Sequence, residues 1–200
     1  MQFSTFALAA LSLGSAIASP VAGIASFDSA RKAVSEAKVI VQQQLVQINI
    51  LTNNASPNAD TVTKIQSSLL TIGASVNALV VPVVALGNVG SATLSKDQIA
   101  AVPQFQNDFL NILVNLETIG KKTTGGNLQK DAIAHFKPQL QWALAPAAPV
   151  SQSIITFINV AAPKYANYKN WAPYLVNIQG LIVVVLGKIA LAIGLDVSLL

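Results

Sequence analysis

The stretch VTKIQSSLLTIGASVNALVVPVVAL, residues 62–86, decides the fold. Its apolar residues recur at alternating intervals of three and four, the spacing of one side of an α-helix. Asn58 or Asp60 can cap the start of this helix, and Gly87 can end it. Pro82 removes one backbone hydrogen bond from the pattern, so we expect a kink. The apolar series is Val62, Ile65, Leu69, Ile72, Val76, Leu79, Val83 and Leu86.

The neighbouring segments repeat this spacing. A first helix is expected over residues 27–53, and a third is expected to open at Ser95, whose Ser-x-x-Gln spacing to Gln98 is typical of a capping box. Pro103 is expected to bend the first turns of the third helix. The apolar face of the third helix is predicted to comprise Val102, Phe105, Phe109, Ile112, Leu116 and Ile119.

Shorter helices are expected beyond Gly126, over residues 127–144 with Pro138 inside, and over residues 150–160. A last helix begins near Pro173, a residue favoured in a first helical turn. No window alternates as a strand would. The sequence therefore predicts an all-α, single-domain, irregular bundle of five or six helices, some of them kinked by proline.

The first residues, MQFSTFALAALSLGSAIAS, resemble a secretory signal peptide. An apolar run from Phe6 to Leu13 precedes Ala16-Ile17-Ala18, which fits cleavage before Ser19. We therefore expect a signal peptide over residues 1–18 and a secreted, extracellular or cell-wall associated domain over residues 19–200. Because the chain has no cysteine, packing without disulfides must hold this domain together.

Charge and residue types argue against several functions. The net charge is +4, but the basic residues are scattered and charged residues make up only 10% of the chain, so a nucleic-acid partner is not expected. The single histidine, His135, stands four residues after Asp131, which is typical of a local helix pair. No nucleophile motif or metal-ligand set accompanies it. GKKTTGG, residues 120–126, is predicted to be a flexible basic loop. We expect no enzyme activity, metal or cofactor.

The apolar excess carries the functional signal, with 52% hydrophobic residues and a mean hydropathy of +0.56. ALVVPVVAL (78–86) and GLIVVVLGKIALAIGL (180–195) would be apolar all round as helices, so protein, lipid or ligand must surround them. The second stretch could be a membrane span, a glycolipid-anchor signal or the most buried helix of the bundle. A span needs about 20 apolar residues without a central Lys188, and an anchor signal needs a clean tail, so we favour the buried helix.

A filled aliphatic core and a ligand-holding cavity both fit this composition. A cavity would suit a fatty acid, because each buried methylene contributes about 0.8 kcal/mol. Lys188 is then a candidate partner for the carboxylate, although such a lysine also commonly extends to the end of a bundle. The candidate lining residues are Leu69, Ile72, Val76, Leu79, Val83, Phe105, Phe109, Ile112, Leu116, Phe157, Leu181, Val185 and Ile189.

Two smaller features remain. Tyr165, Tyr168, Trp171 and Tyr174 recur every three residues, so they could form a surface-contact patch or could pack between helices. Asn54 begins an Asn-Ala-Ser sequon in a predicted loop, and is a candidate glycosylation site.

The chain as a whole resembles the fungal hydrophobic-surface-binding protein A family, also called cell-wall galactomannoproteins. The resemblance lies in the signal peptide, the lack of cysteine, the helices rich in Ala, Val, Leu, Ser and Gln, and the run SSLLTIGASVNALVVPVVAL (67–86) followed by a Ser-capped third helix. It implies a secreted or wall-associated helical protein that adsorbs to hydrophobic surfaces, helps recruit polyester-degrading hydrolases, or binds long-chain fatty acids. It implies no catalytic residue, and the length of the last apolar stretch, with Lys188 in its middle, predicts no transmembrane span. A structural mannoprotein with a filled core and no lipid stays open as the alternative.

Overall fold

The computed structural model describes residues 23–53, 58–87, 94–125, 130–165 and 169–189. A 3₁₀ turn, Ala162–Lys164, extends the helix Ala147–Ala161, and a π-helical segment, Val183–Lys188, extends the helix Ala172–Ile182. The described residues include no strand, and they form a single bundle, so the predicted all-α fold is confirmed. The helices are α1 (Gly23–Asn53), α2 (Ala59–Asn77), α3 (Val80–Gly87), α4 (Lys96–Thr124), α5 (Lys130–Leu144), α6 (Ala147–Ala161) and α7 (Ala172–Ile182). The signal peptide predicted over residues 1–18 lies outside the described residues.

Proline accounts for the break between α2 and α3. Pro82 has no N–H, and its ring clashes with the carbonyl four residues earlier, which belongs to Ala78. The helix therefore breaks at Ala78 and Leu79, one turn before the proline. The Leu79 N–H donates to the Val76 carbonyl at 3.1 Å, which tightens the turn, and α3 then continues the path of α2. The predicted kink is confirmed.

Side-chain caps fix the starts of two helices. The Asn58 Oδ1 accepts from the Thr61 N–H at 2.8 Å at the start of α2. At the start of α4, Ser95 Oγ accepts from the Gln98 N–H at 3.2 Å, while Gln98 Oε1 accepts from the Ser95 N–H at 3.0 Å. The capping box predicted from the sequence is confirmed.

The predicted loop over residues 120–126 is wrong for its first five residues, because α4 continues to Thr124. Thr123 and Thr124 donate their hydroxyls to the Ile119 and Gly120 carbonyls, both at 2.7 Å, so both side chains bond to the backbone of their own helix. Gly120 also packs closely against Ile189: a Cβ placed on it would lie 2.2 Å from the Ile189 Cδ1. Tertiary contact therefore holds a glycine-containing segment in the helix.

Three helices run in the same direction to form one layer. Asp28 and Lys38 of α1 bond to Gln98 and Asp108 of α4, so the two helices advance together. Farther along α4, Gly120 meets Ile189, which follows α7 in the chain. Helix α4 therefore lies between α1 and α7.

The α2–α3 pair and the α5–α6 pair form the second layer. Gln66 donates to the His135 carbonyl at 3.0 Å, and Gly87 packs against Ser153, so the two pairs run side by side in one direction. They run opposite to the first layer, as shown by the Leu94 N–H before α4, which donates to the Tyr165 hydroxyl after α6 at 2.8 Å.

One hydrophobic core fills the space between the layers, and the apolar faces predicted for α1, α2–α3 and α4 line it. The Phe27 ring joins the layers, with its centroid 5.6 Å from that of Phe105 in α4 and 5.8 Å from that of Phe157 in α6. Both layers therefore depend on the same aromatic cluster.

The last helix differs from its prediction. Leu175, Ile178, Val185 and Ile189 are buried, but Val176 and Val183 are among the most exposed apolar residues described. The described part of this segment thus has apolar residues on two sides, and the bundle covers only one of these sides. Within the described residues, the prediction that it is the most buried helix is wrong, because α7 packs at the edge of its layer.

Candidate functional site

The candidate lining residues lie together. Twelve of the thirteen are buried in the single core cluster, and Leu181 is half-buried at its edge. Helical periodicity located these residues correctly, because it identifies the buried side of each helix. In this structure they pack on one another between the two layers.

The other candidates have different positions. The Lys188 side chain, Tyr168 and Asn54 lie outside the described residues. Trp171 is only 1% exposed and its ring centroid lies 5.9 Å from that of Tyr165, so interhelical packing accounts for this pair, and Trp171 is wrong as a surface-contact residue. Tyr165 and Tyr174 are half-buried, and the Tyr165 hydroxyl accepts a hydrogen bond from the Leu94 N–H.

The described residues contain no group of three or more His, Asp or Glu side chains placed to hold a metal ion. His135 is exposed on α5, and its backbone carbonyl accepts the bond from Gln66. The Asp131 side chain lies outside the described part of the chain.

We call the outer side of the second layer, which α2–α3 and α5–α6 form, the uncharged face. The sequence has no charged residue between Lys64 and Lys96, nor between Lys137 and Lys164, and these two stretches make up most of the two helix pairs that lie side by side. Ser67, Thr71, Gln152 and Asn159 are also exposed along these pairs, but the positions that define the uncharged face are apolar. They are Leu70, Ala74, Ala78, Val81 and Ala85 on α2–α3, and Pro138, Trp142, Ala145 and Pro149 on α5–α6.

Trp142 is the largest side chain of the uncharged face. It is 42% exposed, and its indole ring lies on Gly73 of α2: a Cβ placed on Gly73 would lie 2.1 Å from the Trp142 Cε3. Only glycine lets the ring approach the α2 backbone so closely. Leu70 stands one turn before Gly73 and is 50% exposed, so the ring and this leucine are both available at the outer surface.

Polar groups on and beside the uncharged face bond to backbone carbonyls. Thr71 Oγ1 donates to the Ser67 carbonyl at 3.0 Å, and Ser153 Oγ donates to the Pro149 carbonyl at 2.8 Å. Asn77 Nδ2 donates to the Gly73 carbonyl at 2.8 Å. These donors keep their partners when the face loses water, which lowers the cost of covering it.

The opposite side of the bundle carries charge, and we call the outer side of α1 and α4 the charged face. Five charged residues belong to α1 and six to α4, out of twenty in the chain. Arg31, Lys32 and Lys121 are exposed there, while Lys38 Nζ and Asp108 Oδ1 form an ion pair at 2.6 Å that links the two helices. The bundle thus carries most of its helical charge on this side, although Val39, Val46 and Ile50 of α1 are also exposed here.

Two described helical stretches are long and apolar enough to cross a membrane, Ala59–Gly87 and Ala134–Lys164. In their most apolar windows, 44% and 56% of the residues are buried inside the bundle. Length and composition are weak indicators here, because core helices of globular domains meet the same criteria. These stretches are the two helix pairs that carry the uncharged face.

Sequence reasoning missed the residues of this face. The sequence feature that could have indicated this face is the pair of long stretches without charge, one of which contains ALVVPVVAL, a segment that is apolar all round as a helix. Residues Leu79, Val83 and Leu86 of that segment are buried, whereas Val81 is 65% exposed. Pairing of the two stretches could not be read from periodicity, because periodicity describes one helix at a time.

The chain matches no protein-family model, and neither the curated proteins nor the solved structures give a match. The function is therefore argued from the geometry of this molecule.

Proposed function

We propose that this protein is a secreted, non-enzymatic adhesion protein that binds hydrophobic surfaces through its uncharged face. The proposal includes membership of the family that the sequence resembles, an extracellular or cell-wall location, and recruitment of a polyester-degrading hydrolase to the covered substrate. The observation that carries it is the pairing of the charge-free stretches 65–87 and 138–161, whose exposed positions are mostly apolar.

The size of the face supports this function. From Leu70 to Ala85 the helix path is about 22 Å long, and two neighbouring helices span about 20 Å, so the face covers roughly 400 Å². Exposed apolar patches of this size commonly mark interaction sites on monomeric proteins. Trp142 adds a large aromatic ring, a side chain suited to an interface between water and an apolar phase.

Adsorption to a polyester film tests the proposal. The double variant Leu70→Lys/Val81→Lys places two ammonium groups in the face, and we expect the apparent Kd on the film to rise at least about tenfold, because each lysine must stay hydrated or lose its water. A quartz crystal microbalance measures the adsorbed mass at a series of protein concentrations.

The matched control is Val39→Lys/Val46→Lys on α1. Val39 and Val46 are 47% and 52% exposed, compared with 50% and 65% for Leu70 and Val81, so both variants change similarly accessible valine or leucine residues. We expect the control to adsorb as the parent protein does. Equal loss in the two variants, or none in either, would refute a role for the uncharged face, and thermal unfolding verifies that both variants are folded.

A second candidate function is lipid binding in the interior. Gln106 Oε1 and Ser151 Oγ are fully buried in the core region without a hydrogen-bond partner. Each atom by itself could bond to the head of a protonated fatty acid: Gln106 Oε1 can accept from its hydroxyl, and Ser151 Oγ can donate to its carbonyl. Native mass spectrometry of the protein secreted by its host tests this function: an added fatty-acid mass supports it, and a bare polypeptide mass contradicts it.

A further inference from the structure

We propose that the adsorbed protein lies with its uncharged face on the surface and its charged face toward water, and so converts a hydrophobic surface into a wettable one. The inference rests on the proposed function, and adds an activity to it. Adhesion alone requires only one side that binds the surface, whereas this activity also requires a hydrated side that always faces water.

The placement of charge supplies the hydrated side. Arg31, Lys32 and Glu36 are exposed on α1, and Lys121 and Lys122 are exposed near the end of α4. These helices belong to the layer opposite the uncharged face, so their outer sides point away from any surface that the face covers. Ionic groups keep their water strongly, and the outer layer of a coat made this way is hydrated.

The charges at the borders of the uncharged face do not favour another occupant. Lys64 Nζ and Asp60 Oδ2 form an ion pair at 2.6 Å at the start of α2, so this end offers a neutral pair to an approaching ligand. The helix pairs carry no charge between Lys64 and Lys96 or between Lys137 and Lys164, so the middle of the face offers no charge complementarity to an anionic headgroup or an acidic protein. An uncharged apolar surface is the occupant that matches it.

The orientation can be tested with single cysteines, because the chain has none of its own. Ala74→Cys lies on the uncharged face and Gln43→Cys lies on α1, and both original residues are exposed. On a polyester film, we expect maleimide labelling of Ala74→Cys to slow by about tenfold or more relative to solution, because a side chain held against the surface is excluded from water. Labelling of Gln43→Cys should keep its solution rate.

Wettability is measured on the same films with the parent protein. We expect the water contact angle of the film to fall as adsorbed mass rises to a plateau. If mass adsorbs and only Ala74→Cys is protected while the angle stays unchanged, the inference is overturned and the proposed function stands. If both cysteines react equally on the film, the uncharged face is not the adsorbing side, and the inference and the proposed function both fail. If no mass adsorbs, the proposed function itself fails.

A second copy of the chain on the uncharged face would also overturn the inference. In that case Ala74→Cys would be protected in solution before any film is present, and sedimentation would give a dimer mass at the same concentration. A monomer mass together with free labelling of Ala74→Cys in solution supports the inference, because the face is then open until it meets a surface.

Discussion

The charged and uncharged faces are built from helices of the same kind, yet they present different chemistry to the outside. On the inner sides, both layers contribute aliphatic and aromatic residues to one core. Outside the core, α1 and α4 carry ten charged residues in addition to the buried Asp108, whereas the helix pairs opposite carry none between Lys64 and Lys96 or between Lys137 and Lys164. The two layers therefore differ in the residues that lie outside the core.

The stability of the bundle and the chemistry of its outer surface therefore depend on different residues. A helix needs one apolar side to pack in a bundle, and its other side can be charged without loss. The second layer also has large apolar residues on its outer side, among them Leu70, Val81 and Trp142, and packing in the core does not explain them. The three predictions below test this separation, starting with the core that the two faces share.

The largest effect is expected at Phe27, which connects the two layers. Phe27→Ala removes a fully buried ring that lies beside Phe105 and Phe157, and we expect it to lower the free energy of unfolding by about 3–5 kcal/mol. Urea unfolding followed by circular dichroism measures the change. Phe27→Leu, which keeps most of the volume, should cost less; equal costs would mean that the ring does not bridge the layers.

A smaller effect is expected at the ion pair within the charged layer. Asp108 accepts from Lys38 Nζ at 2.6 Å and from Gln104 Nε2 at 2.8 Å, and its side chain is 7% exposed. Asp108→Ala leaves a largely buried ammonium group without its partner, so we expect a loss of about 2–3 kcal/mol in the free energy of unfolding.

Glu36→Ala is the control for this prediction, because Glu36 pairs with Lys32 at 3.9 Å on the exposed surface. Its expected effect is within about 0.5 kcal/mol. The same urea titration compares the two variants. A similar small cost for both would indicate that the link between α1 and α4 contributes nothing beyond surface charge.

The smallest effect is expected from two glycines, with opposite signs. A Cβ at Gly73 meets the Trp142 ring, whereas a Cβ at Gly180 meets no atom within 4 Å. We expect Gly73→Ala to displace the indole and to destabilise by about 1–2 kcal/mol, and Gly180→Ala to stabilise by about 0.5–1 kcal/mol through helix propensity.

Thermal unfolding measures both glycine variants, and tryptophan fluorescence should shift to longer wavelength only for Gly73→Ala, because Trp171 is buried and Trp142 is at the surface. Stabilisation by both alanines without a spectral change would contradict the seating of Trp142 on Gly73.

Much of the fold could be predicted from the sequence because its signals are local. The seam of α2–α3, the Ser95 capping box and the break caused by Pro82 each depend on residues within one or two turns. The buried side of each helix follows from the same spacing, and twelve of the thirteen candidate lining residues are accordingly in the core.

The errors have a common physical cause. Residues 120–124 read as a loop because of their glycine and polar content, but Gly120 is held in α4 by its contact with Ile189. For Trp171 the sequence leaves a surface patch and interhelical packing open, and packing against Tyr165, with a hydrogen bond from Gln106 of α4 to the Trp171 carbonyl, decides between them. In both cases a contact with a distant segment, Ile189 or Gln106, leaves no mark on local spacing.

From the amino-acid sequence alone one can predict that the chain forms helices, where most of them begin and bend, and which side of each is apolar. These features depend on backbone propensity and on the spacing of residues along one helix. Only the tertiary structure decided that the two charge-free stretches lie side by side, with Trp142 seated on Gly73. The physical reason is that this pairing depends on shape complementarity between side chains about seventy positions apart.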